Sequence, residues 1–280
     1  MVTISIPVYN RYDLLKIMAA SLYRSKLDIP HNIRIYDDRS NEFGLGELRE
    51  LFPNAASVII NKVNLKADKN IYSFYKDFLA TSDEYLFNAD SDLIFNKNWL
   101  VNGLAYIKKT DGVLTLFNAN SHPATEIIDD TFCIKKNVGS AGTLFTRERV
   151  EQIVHHFSQT GETKINHFDW GWSEFFNKNN IRIFCLNNSL VQHIGFVGQN
   201  SSVKRLGFKN IRVYKPYFDY GRNFLIDSVE TGQIINNIFE YFIDQNMKED
   251  ERILNSLLKV AVNIGKKILG KRTFAKRAGA

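Results

Sequence analysis

The chain has 280 residues, 44% apolar and 24% charged, enough to bury a sizeable core and without the low hydrophobicity and large net charge of a disordered protein. Its net charge of +6 gathers near the C-terminus, where Lys259, Lys266, Lys267, Lys271, Arg272, Lys276 and Arg277 occur without an acid. The remainder is close to neutral, which weakens a nucleic-acid reading that needs a basic face across the fold.

The elements follow in chain order. Val2 to Tyr9 reads as a strand, and Asn10 stands as an N-cap before a helical stripe of Leu14, Leu15, Met18 and Leu22 that runs to about Ser25. Asn32 to Tyr36 is a second strand, closed by the acidic pair Asp37 and Asp38. Ser57 to Ile60 is a third strand, Asn70 to Ala80 a helix, and Glu84 to Phe87 a fourth strand that ends in Asn88-Ala-Asp-Ser-Asp92. Alternating βαβ units predict a mostly parallel α/β sheet flanked by helices, with ligands bound beyond the carboxyl ends of its strands. Both acidic pairs fall at that edge.

Further strands are expected at Gly112–Phe117, Ala141–Phe145 and Ile181–Leu186, with helices at Arg147–Phe157 and Glu174–Asn180. Beyond Asp227 the pattern turns helical, with one apolar stripe through Ile234, Ile235, Ile238 and Phe242 and another from Ile253 to Ile268. This divides the chain into a domain of residues 1–225 and a helical extension of residues 226–280. The second stripe, beside its lysines, suits peripheral contact with an anionic membrane or the interface of a homodimer; a plain solvated face is the third reading.

The cysteines Cys133 and Cys185 match no metal or redox spacing and read as packing residues of a reducing compartment. Because the chain opens directly on a strand no signal peptide is expected, and no apolar run approaches the roughly 20 residues that span a bilayer. A cytoplasmic location, at the inner face of the membrane if the basic segment binds there, is the expectation.

Asp90 and Asp92 stand one residue apart in an apolar run, YLFNADSDLIF, where an unpaired buried charge costs several kcal/mol. Carboxylates at a strand end suit a hard divalent cation that also carries phosphate oxygens. Three segments, SIPVYNR at 5–11, YDDRS at 36–40 and NADSD at 88–92, resemble in order and spacing the nucleotide-sugar glycosyltransferases of family 2, which have the GT-A (Rossmann-like) fold.

The resemblance covers roughly residues 2–200 and implies roles by position. Pro7, Tyr9 and Asp38 border the nucleobase of the donor; Asp90 lies near ribose and metal; Asp92 is the main ligand of Mn²⁺ or Mg²⁺ and bridges to the diphosphate. Arg39 stands where glycine is usual in D-D-G-S, and Lys66-Ala-Asp-Lys-Asn70 replaces a Gly…Ala-Arg-Asn segment, so Lys66 and Lys69 are weaker donor candidates. Family 2 enzymes carry a catalytic aspartate before a late helix, which maps to Asp169. The W-G-W-x-E portion of His167-Phe-Asp-Trp-Gly-Trp-Ser-Glu174 is also similar to the W-G-W-G-x-E-D segment of β-1,4-galactosyltransferases, which favours Glu174. A late histidine on the metal maps to His193, with Gly195 and Gly198 in a loop that closes over the diphosphate.

These roles imply an inverting transfer from a nucleotide-diphosphate sugar, expected to be a UDP-sugar, to a hydroxyl of a glycan or glycolipid in surface-polysaccharide synthesis. Trp170 and Trp172 are expected to stack on the acceptor sugar. Two rival readings are a sugar nucleotidyltransferase, which lacks support because Val8 to Tyr12 carries no glycine-rich loop, and a non-catalytic nucleotide- or glycan-binding scaffold of the same fold.

Overall fold

A computed structural model describes residues 1–119, 122–160, 165 and 167–194. The boundary near residue 225, the helical extension, the basic tail, Gly195 and Gly198 lie outside the described residues.

β1 (Val2–Val8) leads into α1 (Tyr12–Arg24), β2 (His31–Asp37), α2 (Leu45–Leu51), β3 (Ala55–Ile60), α3 (Ala67–Leu79), β4 (Tyr85–Asn88) and β5 (Leu93–Phe95). Then follow α4 (Trp99–Ile107), β6 (Val113–Thr115), β7 (Ala124–Ile127), β8 (Phe132–Lys135), β9 (Thr143–Thr146), α5 (Arg147–Thr160), α6 (Phe168–Lys178), β10 (Ile183–Leu186) and β11 (Val191–His193). Among the described residues the strands form a nine-stranded sheet in the order β3-β2-β1-β4-β9-β6-β10-β8-β7 and a two-stranded sheet of β5 and β11. Only β9 and β8 run against the other strands of the large sheet, so it is mostly parallel.

Apolar side chains fill both faces. Val2, Ile4, Ile6 and Val8 of β1 pack against Leu15, Met18 and Leu22 of α1, Leu48 of α2 and Trp99 and Leu100 of α4. On the other face Tyr36 and Leu86 meet Phe74, Tyr75 and Phe78 of α3, Val150 and Ile153 of α5, and Trp172 and Phe176 of α6. Each such aliphatic or aromatic side chain, fully buried, contributes roughly 1.5–3 kcal/mol. Pro7 sits in a central strand at no cost, because the ladder between β1 and β4 ends at the pair Ser5 and Asn88 and leaves no partner there for an N–H. No helix among the described residues is long and apolar enough to cross a membrane.

Three local expectations change. The N-cap position of α1 is Arg11, not Asn10; both residues are left-handed, with φ of 59° and 52°, and no side chain caps the helix. The helix expected from Glu174 begins at Phe168 instead, because Asp68 of α3 accepts from the backbone N–H groups of His167 (3.1 Å) and Phe168 (3.0 Å). Gly171, which weakens the local helical signal, is needed: a Cβ there would lie 2.8 Å from the Phe157 ring. Finally, β5 and β11, which the apolar pattern does not reveal, pair antiparallel and set His193 opposite Leu93, the residue after Asp92.

Candidate active site

The carboxyl ends of β1, β2 and β4 share one edge because the three strands are parallel neighbours. At the end of β2 the two acids divide their work. Asp37 is a turn residue: its carboxylate accepts from the N–H of Ser40 at 3.2 Å and from the Ser40 hydroxyl at 2.5 Å. Asp38 is buried, and its Oδ1 accepts from Asn61 Nδ2 (3.0 Å) and the Leu65 N–H (2.6 Å), which tie it to the loop before α3. Any contact of Asp38 with a ligand therefore falls to Oδ2. Pro7 and Tyr9 are half-buried at the same edge.

Arg39, which stands where glycine is usual in the family, and Lys66, which opens the stretch that replaces a Gly…Ala-Arg-Asn segment, have φ of 63° and 71°. Glycine adopts this backbone freely, whereas an L side chain is strained there. The fold keeps both turns anyway. Arg39 donates to the Lys62 carbonyl, and the Lys66 N–H donates to Asn64 Oδ1 at 3.0 Å. The side chains of Lys66 and Lys69 are exposed.

The strand β4 ends in the N-A-D-S-D segment, where the Ala89 N–H still reaches Ser5 O (2.9 Å) and a turn then closes from Leu93 N–H to Asp90 O (3.2 Å). This places Asp90 and Asp92 on the turn between β4 and β5, and the pairing of β5 with β11 adds His193. One ligand atom from each of the three residues lies within 4.8 Å of the others. Asp92 is buried; its Oδ2 accepts from Arg11 Nη1 at 2.7 Å and its Oδ1 stands 3.1 Å from His193 Nε2. Oδ1 of Asp90 and Oδ1 of Asp92 are both sealed from solvent and accept no well-aligned hydrogen bond.

Burial raises the Asp90 carboxyl, and the charge of Asp92 raises it further. Burial would also raise Asp92, but His193 and Arg11 outweigh it and hold this carboxyl well below the usual carboxylate range. His193 shows the mirror image: burial would lower it, and Asp92 and then Asp90 lift it above its ordinary value. Two acids that repel and two orphaned buried oxygens fit a divalent cation, which relieves both. The mixed carboxylate and imidazole donor set suits Mn²⁺ better than Ca²⁺.

Asp169 lies in the first turn of α6, and Asp90 feels its charge. Burial raises its carboxyl above the ordinary range although Oδ1 accepts the Trp170 N–H at 2.9 Å, and Asp68 adds to the rise. A half-buried acid whose carboxyl is raised in this way is suited to take up a proton. Glu174 is not: it is exposed, paired with Lys178 at 2.8 Å, and its carboxyl is lowered by that lysine.

The two tryptophans part as well. Trp170 is 54% exposed, with His122 at 6.2 Å between ring centroids, and the His122 ring reaches Asn137 Oδ1 at 2.8 Å. Trp172 has no exposed surface and meets the Phe145 ring edge-on at 5.2 Å, so it is a core residue and not the acceptor contact the sequence suggests. An i, i+2 pair on a helix points to different sides, which is why only one of the two is available. Trp172→Ala should lower the unfolding free energy by about 3–5 kcal/mol in denaturant titration. A loss under 1 kcal/mol would contradict its place in the core.

The chain matches no protein-family model and no curated protein sequence. Solved structures do resemble it. S. aureus TarS is 16% identical at a TM-score of 0.51, over 85% of this chain and 42% of that one. Its 1–349 portion in complex with UDP is 15% identical at a TM-score of 0.52, over 99% of this chain and 75% of that one. GalNAc-T7 with UDP, GalNAc and Mn²⁺ is 12% identical at a TM-score of 0.53, over 69% of this chain and 43% of that one. All are glycosyltransferases of one architecture.

The fold is GT-A. The chain spans less than half of the TarS chain it matches. Mannosyltransferase PcManGT from Pyrobaculum calidifontis, in complex with GDP-Man and Mn²⁺, is a further likeness, 12% identical at a TM-score of 0.52, over 78% of this chain and 62% of that one. Within the GT-A frame, the sequence reading missed Arg11, whose signal was its place in SIPVYNR, and Asp68, whose contact with α6 no local pattern announces.

Proposed function

We propose that the protein is a metal-dependent, inverting glycosyltransferase that moves a sugar from a nucleoside-diphosphate donor, a UDP-sugar by preference, to a hydroxyl of a glycan. The observation that carries the reading is the meeting of Asp90, Asp92 and His193 at the carboxyl edge of the sheet, where Asp90 also feels the charge of Asp169. Neighbours of the same fold in complex with UDP, or with GDP-Man or UDP and Mn²⁺, support it.

In this reading Pro7, Tyr9 and Asp38 border the nucleobase, and Asp90, Asp92 and His193 hold the cation. The cation supplies charge neutralisation for the departing diphosphate. Asp169 takes the proton of the acceptor hydroxyl as that oxygen bonds to the anomeric carbon and the bond from this carbon to the diphosphate oxygen breaks. Attack from the side opposite the leaving group inverts the anomeric centre. Trp170 offers its exposed ring to the apolar face of the acceptor sugar.

The test is to incubate the protein with UDP- and GDP-linked sugars and a panel of glycans, in Mn²⁺ or EDTA, and to read the anomeric configuration of the product by NMR. Inverted product in Mn²⁺ alone supports the proposal; retained configuration removes Asp169 as the base. Trp170→Ala should raise KM for the acceptor about tenfold with the melting temperature unchanged, the stacking of one ring being on the order of 1 kcal/mol. An unchanged KM would remove Trp170 from the acceptor site.

A further inference from the structure

Among the described residues, Arg11 is a charged group in contact with Asp92 to which the proposed reaction gives no role. It follows Asn10 in a corner of two left-handed residues, a conformation that asparagine tolerates and arginine does not favour. The corner is held from outside: the Asn10 N–H donates to Ser40 Oγ at 2.8 Å, and Asn10 Oδ1 accepts from the Asn41 N–H at 2.9 Å. Ser40 in turn is fixed by Asp37. The loop after β2 therefore holds Asn10, the residue from which the left-handed Arg11 continues, and an arginine kept in that backbone is a candidate functional position.

The strained corner sends the guanidinium to Asp92 rather than to the end of α1. There it does what a cation would do, neutralising the carboxylate on which a metal depends. Its side chain keeps 29% of its surface exposed and that of Asp92 keeps 3%, so the arginine lies on the open side of the pair. A dication binding to Asp90, Asp92 and His193 on its own meets a fixed positive charge on the same carboxylate. A diphosphate entering with the cation brings negative charge for both, and the planar donors of a guanidinium match phosphate oxygens well.

We propose that Arg11 is a built-in counter-ion that makes cation binding conditional on the nucleoside diphosphate: it opposes the cation alone and binds the diphosphate when both enter. The consequence is positive coupling between the two ligands, equal in both directions. The inference rests on the glycosyltransferase reading in assuming a diphosphate ligand.

The experiment measures Mn²⁺ binding to the full chain by the EPR signal of free Mn²⁺, without nucleotide and with saturating UDP or GDP. In wild type, nucleotide should tighten Mn²⁺ binding at least about tenfold, within the usual range of coupling. Arg11→Gln should tighten nucleotide-free Mn²⁺ binding severalfold and remove most of the coupling, and Arg11→Lys should restore it. Arg11→Met, which keeps the stem and drops the charge, decides the matter should Arg11→Gln fail to fold. Weaker nucleotide-free binding in the neutral variants, or unchanged coupling, overturns the role of Arg11 while leaving the proposed function in place. A wild-type protein that binds neither Mn²⁺ nor nucleotide overturns both.

Discussion

Asp92→Asn should abolish measurable Mn²⁺ binding and, with it, metal-dependent binding of the nucleotide. The substitution keeps the shape of the side chain but removes the charge, and its single oxygen can face Arg11 or His193 but not both. Asp92 is the best-placed anion of the set, because Arg11 and His193 keep it ionised despite its burial. Its Oδ1 is sealed from solvent and has no aligned donor, so it is set to accept a ligand that a neutral amide cannot hold. Loss of a charged first ligand should exceed the 10–100-fold that loss of a supporting group costs, so an effect of about 100-fold or more is expected. Calorimetry with Mn²⁺ and nucleotide reads it directly, and a thermal melt confirms that the variant is folded. Unchanged affinity would remove the metal assignment.

Asp169→Asn should leave donor binding within about twofold and lower transfer by about 1,000-fold, the middle of the range for loss of a general base. The reason is local. Asp169 is half-buried at the start of α6 and held above the ordinary carboxylate range by burial and by Asp68, while Asp90 feels its charge. The pH profile follows from the direction of that shift. A base must be deprotonated, so the wild-type rate should rise with pH and level off only above the raised value for Asp169. In Asp169→Asn that limb should vanish. Glu174→Gln serves as the control: its carboxylate is exposed and engaged by Lys178, so the rate should stay within about twofold. A large loss in Glu174→Gln with little in Asp169→Asn would reverse the assignment.

Much of this arrangement was legible in the chain because it is written locally. The first β-α-β unit shows as apolar periodicity, and acids that follow buried strands have few places to go except the sheet edge, where Asp38, Asp90 and Asp92 are found. What could not be read depends on partners distant in sequence. The start of α6 is set by Asp68, about a hundred residues earlier, and Gly171 within it is explained only by the Phe157 ring. Trp170 and Trp172 look alike in sequence, yet one faces solvent and the other Phe145, because their helix begins where no local signal places it. His193 reaches Asp92 through a two-stranded sheet too short to leave a pattern. The turn at Arg39 shows the opposite case, in which the sequence lacks the expected glycine and the fold adopts a positive φ regardless.

The most direct test of the central claim is calorimetric titration of the protein with UDP, GDP, CDP and dTDP, each in Mn²⁺ and in EDTA. The account predicts that one nucleotide, expected to be UDP, binds in Mn²⁺ and that its binding is lost in EDTA. Equal binding with and without the metal, or no binding of any of the four, would contradict it.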